Sequence, residues 1–308
     1  MEPAEERKIR TEIIDEAKRF IREDPANRLD LDGLPMYDEP LVGFVAGNDP
    51  LFSELKAVIG DFHLTPYEAM REAASLRAVE APPEESLGVI AFALPMHKET
   101  IRENAAMSDR PSRRWVHGKH YGEKLRERLA DHLVSFLSHK GRFAICPDRE
   151  AGFYKVTIDP RVGLASNWSQ RHLAYAAGLG TFGLSDGLIT EAGVAEAVGS
   201  IVVDIPFRSG ERPDDIHAAC LFYQKGTCKA CLKRCPAGAI SAKGHDKKKC
   251  AAFAFSQTPL NKERYGIETY ACGLCLTGVP CASTNPVKRQ SGEDHSQIRG
   301  RGLTAASK

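Results

Sequence analysis

Cys228-Lys229-Ala230-Cys231-Leu232-Lys233-Arg234-Cys235-Pro236 is the stretch that governs the reading of this chain. A C-x2-C pair places two sulfurs on one tight turn, facing one metal centre, and thiolates are soft ligands that suit iron–sulfur clusters, zinc or Cu(I). Cys220 lies upstream and Cys250, Cys272, Cys275 and Cys281 downstream, so eight of the nine cysteines fall between positions 220 and 281. A secreted disulfide framework spreads its cysteines and begins with a leader. Here Met1–Arg10 is charged and has no apolar core, so no signal peptide and a cytoplasmic location are expected. Clustering in such a chain predicts metal.

The run C-x2-C-x3-C-P is that of bacterial ferredoxins less its first cysteine, and in that arrangement the last cysteine of a run ligates the other cluster. Applied here, one [4Fe-4S] cluster takes Cys220, Cys228, Cys231 and Cys281, and a second takes Cys235, Cys250, Cys272 and Cys275. Two spacings depart from the pattern: seven residues separate Cys220 from Cys228, and 21 separate Cys250 from Cys272. A pair of zinc sites with four cysteines each is the alternative. Pro236, which turns the chain away, and Ala237-Gly238-Ala239, which let it pass close to a cubane, favour clusters. Cys146, the ninth, reads as a small buried hydrophobe at a strand end.

Working outward, composition changes after Pro206. Residues 209–287 are rich in Cys, Lys and Gly and poor in core-formers, as expected of a ferredoxin-like domain that needs metal to hold together. From Lys288 to Lys308 the chain is polar, and disorder is expected. Residues 1–208 read as an α/β or α+β body. Residues 4–23 have the spacing of an amphipathic helix, with Ile9, Ile13, Ala17 and Phe20 on one face. Leu87–Leu94 is an unbroken apolar run ending at Pro95, the pattern of a buried strand. A basic loop with Arg110, Arg113 and Arg114 beside Trp115 precedes a helix over Tyr121–His139. Strands are expected at Arg142–Cys146 and Val198–Ile205, and a helix over Ser169–Ala177 that Gly178 ends.

Gly178-Leu179-Gly180-Thr181-Phe182-Gly183 is a literal G-x-G-x-x-G. A dinucleotide site needs a strand before it and a helix after it. Here a helix precedes and the strand-like Leu188–Thr190 follows, so that reading fails. A helix C-cap with a turn and a cofactor contact both remain open. The 308 residues carry a formal net charge of +1 and are 42% hydrophobic, which gives no global field for nucleic acid. No apolar run approaches the roughly 20 residues that span a bilayer, so no membrane is expected.

The segment from Ser169 to Gly183, the short strand after it and the double cysteine set resemble epoxyqueuosine reductase and its relatives, the reductive dehalogenases. Gly118-Lys-His-Tyr121 and the helix after it are similar to a Gly-x-Asp-Tyr-His segment of the former. The resemblance implies a nitroreductase-like body holding cobalamin beside a ferredoxin-like domain, with electrons passing through two clusters to cobalt to reduce an organic substrate. Carried across, Tyr121, Arg171, His172 and the loop with Gly178, Gly180 and Gly183 would line the cofactor pocket. The family's proton-donor Asp corresponds to Leu164 here, its His after the tyrosine corresponds to Gly122, and its helical-repeat tail does not follow the clusters. A tRNA substrate is therefore doubtful. Reduction needs a proton donor, and Tyr121, His172, Tyr154 and Asp159 are the candidates from chemistry. The expected function is a cobalamin-dependent reductase of an unidentified small molecule, fed by reduced ferredoxin or flavodoxin. The alternative is a two-cluster electron carrier, without corrinoid, that serves a partner protein. Lys229, Lys233, Arg234 and Lys247–Lys249 form the basic face expected to meet an acidic donor.

Overall fold

Unbroken apolar sequence makes a strand that must be covered on both faces, and Gly88–Pro95 (β2) meets that condition, with all eight residues buried. In this computed structural model, which describes residues 1–150 and 152–291, the strand lies inside a four-stranded sheet. Its partners are Leu41–Ala46 (β1), Ala144–Ile145 (β3) and Glu196–Val203 (β8), in the order β1-β2-β8-β3. Every pairing is antiparallel, so the mixed fold expected from the sequence is of the α+β kind.

Alternate residues of the sheet feed two apolar layers. On one face Phe44, Ile90, Phe92, Leu94, Ile201 and Val203 pack under the helices Pro3–Glu23 (α1) and Arg113–His139 (α5). On the other, Val45, Val89, Ala91, Ile145 and Val202 pack under Leu51–Ile59 (α2), Pro66–Leu76 (α3) and Gln170–Ala176 (α6). Lys98–Ala105 (α4) follows β2 and packs on α5. Between β3 and β8 the chain makes two hairpins, Val156–Asp159 (β4) with Gly163–Ser166 (β5) and Gly180–Phe182 (β6) with Leu188–Thr190 (β7).

Beyond the sheet the elements shorten: Leu221–Lys225 (α7), Ala230–Arg234 (α8), the two-residue strands Ile240–Ser241 (β9) and Gly244–His245 (β10), then Lys247–Tyr265 (α9). A third apolar cluster joins this region to the body, with Leu184, Ile189 and Val194 beside Ile240, Val279 and Ala282. The amide of Val194 donates to the Cys281 carbonyl at 2.8 Å. Among the described residues no helix is long and apolar enough to cross a membrane.

Three boundaries differ from the sequence reading. α5 begins at Arg113 rather than Tyr121, because Ser112 caps it: its hydroxyl accepts from the Trp115 amide at 3.1 Å, satisfying one of the free donors of a first turn. The expected basic loop is thus helical from Arg113 onward, with Arg110 outside the helix, and Arg114 is buried, ion-paired with Asp32 and bonded to Thr100. β8 starts two residues early, at Glu196, an acid that the apolar pattern excluded. Pro286–Ser291 is a helix (α10), so the first residues of the expected tail are ordered; 292–308 lie outside the described residues.

Candidate active site

The eight clustered cysteines divide into two groups of four. Cys220, at the start of α7, Cys228 and Cys231 around the start of α8, and Cys281 line one small cavity, walled also by Gly183, Ile189 and Val279. Cys235 ends α8, Cys250 sits in the first turn of α9, Cys272 precedes the 3-10 turn Leu274–Leu276, and Cys275 lies within it. These four line part of a second cavity of about 510 Å³ that reaches into the body. The Ala239 amide donates to Cys235 Sγ at 3.3 Å, in the turn that Pro236 opens.

Burial, and then neighbouring thiols, push Cys231 and Cys272 up to about 11 and Cys281 up to about 12, and Cys275 higher still. The thiols acting on Cys281 are Cys231, Cys220 and Cys228, and those acting on Cys272 are Cys250 and Cys235. Cys275 feels both groups, including Cys231. Buried thiols crowded in this way ionise only beside compensating positive charge. Among the described residues no three His, Cys, Asp or Glu side chains converge as ligands of a single metal ion. The thiols surround voids instead.

The larger cavity has three protein walls besides the cysteines. α5 supplies Trp115, Lys119, Glu123 and Arg126, spaced so that they share one helical face. Lys119 donates to Glu123 at 2.9 Å and Arg126 at 2.6 Å. Burial alone would raise the Glu123 carboxyl, but the two cations outweigh it and hold it near about 2. The start of α6 supplies Ser169, Gln170 and Arg171, and the start of β8 supplies Glu196, Ala197 and Val198. Tyr154 and Ser166 close the third side. Among the described residues, several polar atoms of this wall are buried without a hydrogen-bond partner: Gln170 Nε2, both oxygens of Glu196, Arg126 Nη1 and His245 Nε2. His245 is also on the wall, with Nδ1 at 3.1 Å from Asp186. Burial lowers this imidazole, and Asp186 and Cys250 override that to raise it to about 9.

Of the residues expected in the sequence to line the cofactor pocket or donate a proton, Arg171 and Tyr154 reach this cavity and the others do not. Tyr121 lies two residues from both Lys119 and Glu123, about 200° round the helix, and is exposed beside His117 and His120. His172 turns to the other side of α6, bonded to Ser169 Oγ at 2.7 Å and against the Phe182 ring. Burial, followed by the charges of His63 and Lys247, depresses it to about 3. Asp159 accepts from the amides of Arg161 and Val162 and shapes the β4–β5 turn. Gly178, with φ at +75°, ends α6, and a Cβ there would meet the Glu211 carbonyl. Gly180 opens β6 against the Ile189 carbonyl, while Gly183 lines the smaller cavity. The loop therefore serves a helix cap, a hairpin and the first cysteine group. Gly122 stands where the Tyr37 ring occupies the space of a side chain.

The sequence reading passed over Glu196, Gln170 and the Lys119–Glu123–Arg126 face. The α5 face was legible as charges at helical spacing had the helix start been placed at Ser112. A single acid at the head of an apolar strand carried the signal for Glu196.

No protein-family model matches the chain. Epoxyqueuosine reductase of Bacillus anthracis is 30% identical over 189 residues, 58% of this chain and 44% of that protein. Epoxyqueuosine reductase of Staphylococcus aureus (strain NCTC 8325 / PS 47) is 29% identical over 254 residues, 78% of this chain and 60% of that protein. This chain resembles the epoxyqueuosine reductases. It spans about half the length of these curated relatives. A catabolic reductive dehalogenase shares the fold, with a TM-score of 0.51 at 15% identity, over 84% of this chain and 32% of that one. The epoxyqueuosine reductase resemblance thus rests on sequence, and the dehalogenase likeness on fold alone.

Proposed function

We propose that this chain is a reductase of the epoxyqueuosine reductase kind, with two [4Fe-4S] clusters in residues 209–287 and a corrinoid held against the body of residues 1–208. The observation that carries this reading is that Cys235, Cys250, Cys272 and Cys275 form one wall of the larger cavity. An electron on that group is already beside whatever the cavity holds. The two groups of four are those that crossed ligation calls for.

The residues fit the absent groups. Each set of four thiols crowds a void, as a positively charged iron–sulfur core requires. The larger cavity falls within the roughly 300–1,000 Å³ of small-molecule sites and is open to solvent on one side. Its orphaned Gln170 Nε2 suits a cofactor rimmed with amide oxygens, such as a corrinoid. When bound, that cofactor would supply a low-potential cobalt able to transfer electrons to an organic substrate. The protein's share is to set the environment: Trp115 and Tyr154 offer aromatic surface, Arg171 an exposed cation, and the ion-paired Lys119, Glu123 and Arg126 a fixed polar wall.

The first cysteine group lies apart from the larger cavity, beside the exposed Lys229 and Lys233, and is the natural entry for electrons from reduced ferredoxin or flavodoxin. Arg234 does not belong to that docking face. It turns inward, donating to the carbonyls of Leu274 at 2.9 Å and Met107 at 3.0 Å.

The test is anaerobic purification with corrinoid supplied, followed by iron, sulfide, cobalt and zinc per chain. About eight irons with about one cobalt is the expected result. About eight irons without cobalt would leave a two-cluster electron carrier. Zinc in place of iron would overturn the reading.

A further inference from the structure

Glu196 opens β8 opposite Pro95, and both its carboxyl oxygens are buried in the wall of the larger cavity, with no well-formed hydrogen bond among the described residues and only the Thr190 hydroxyl near enough to oppose burial. Among the described residues no cation is committed to it. Arg171, the nearest, is exposed at the start of α6. Across the cavity Lys119 and Arg126 of α5 are spent on Glu123, and His245 of β10 is held by Asp186. On β7 the Thr190 hydroxyl donates to the Gly193 carbonyl at 2.9 Å, and the neighbouring end of β2 offers only Pro95 and Met96. The remaining titratable groups of the cavity are the four thiols and Tyr37, Tyr154 and Tyr270. An ionised carboxylate so placed, desolvated and without a committed countercharge, is strongly disfavoured. Burial accordingly raises this carboxyl well above the usual range, against weaker opposition from Arg171 and Thr190.

We propose that the Glu196 carboxylic acid is the proton donor of the larger cavity, handing its proton to the substrate atom reduced there. The inference rests on the reading of that cavity as a site of reduction. For a carbon–heteroatom bond, two electrons arrive singly from an external low-potential protein carrier through the cysteine groups. The heteroatom departs with the pair of the broken bond, and the carbon keeps the delivered pair. The Glu196 proton then forms the new C–H bond. The carboxylate left behind regains a proton from water at the open side of the cavity.

Dicyclohexylcarbodiimide adds to protonated carboxyl groups and spares ionised ones, so the test treats the cluster-loaded chain with it at pH 8 and maps the label by mass spectrometry. Glu196 is expected to be labelled. The label should be lost in Glu196→Gln, whose iron content should match the wild type, and slowed several-fold by prior loading with hydroxocobalamin. Absence of label at pH 8 overturns the proposal. Labelling that hydroxocobalamin does not slow keeps the acid and defeats the corrinoid reading instead. On the loaded protein, with titanium(III) citrate as reductant and 3-bromo-4-hydroxybenzoate as an aryl-halide probe, Glu196→Gln should release bromide about 10²-fold more slowly. Equal rates in the two proteins overturn the donor role.

Discussion

In the body, β2 alone buries eight consecutive residues between two apolar layers. In the cysteine-rich region, α7 and α8 together bury one side chain, Leu221. The contrast sharpens at α9, a helix of 19 residues whose buried side chains are Gln257 and Asn261. Burial of a large apolar side chain contributes about 1.5–3 kcal/mol, so the body has many such contributions and the region around the cysteines has few. The two parts also place charge differently. In the body the buried Glu123 is paired with Lys119 and Arg126, with Glu196 the exception, while in the cysteine-rich region the buried thiols are left facing one another. A region built in that way has little apolar core of its own, and under the proposed function its order would come from what the thiols bind.

Stripping the metal is the harshest way to break this comparison. Iron removal by chelator should collapse amide-exchange protection through α7, α8 and the 3-10 turn Leu274–Leu276 to about 0 kcal/mol, while β2 and β8 stay protected. Equal protection in both regions after iron loss would show that the cysteine-rich part has a core of its own. A core cut in the body should act the other way. Phe92→Ala, in the middle of β2 and fully buried, should lower unfolding stability by about 3–5 kcal/mol in a denaturant titration, with iron per chain unchanged.

The smallest effect is a pH dependence confined to the body. His63 is depressed to about 4, by burial first and Lys56 next, and His172 to about 3. Both are neutral in the folded chain at pH values where the unfolded chain, with imidazoles near 6.5, is protonated. Their stabilisation is therefore complete above pH 6.5 and declines as pH falls from 6.5 toward 4. Each should contribute a slope of about 1.4 kcal/mol per pH unit in that window. Urea midpoints at pH 7.0 and 5.5 measure it, and His172→Gln should remove roughly half of the decline. An unchanged slope would mean that the ring is not sealed as Phe182 and Ser169 place it.

The parts that could be read in advance are those in which chemistry or periodicity is local. The apolar run at Leu87–Leu94 announced a strand covered on both sides, and the helix over residues 4–23 followed from the spacing of Ile13 and Ala17. Side-chain direction was harder. Tyr121 and His172 sit in segments that touch the cavity, yet each points off it, because one step along a helix rotates a side chain by about 100°. The glycine loop stayed open between a cap and a cofactor contact for a related reason, since close backbone approach to a ligand and to a neighbouring strand require the same residue. Glu196 escaped because its meaning depends on which groups are absent around it, and those come from α5, α6, β7 and β10.

The sequence by itself determined that eight cysteines gather in one segment, in a spacing that favours metal over disulfides, that a strand-and-helix body precedes them, and which chemical family the chain resembles. These follow from composition, period and spacing, which act between neighbours along the chain. The tertiary structure alone decided that Cys235, Cys250, Cys272 and Cys275 open onto a cavity of the body, that Arg234 faces inward, and that an uncompensated carboxyl lines that cavity. Burial and the loss of counter-charges are properties of surroundings assembled from distant segments, and these appear only when the chain has folded.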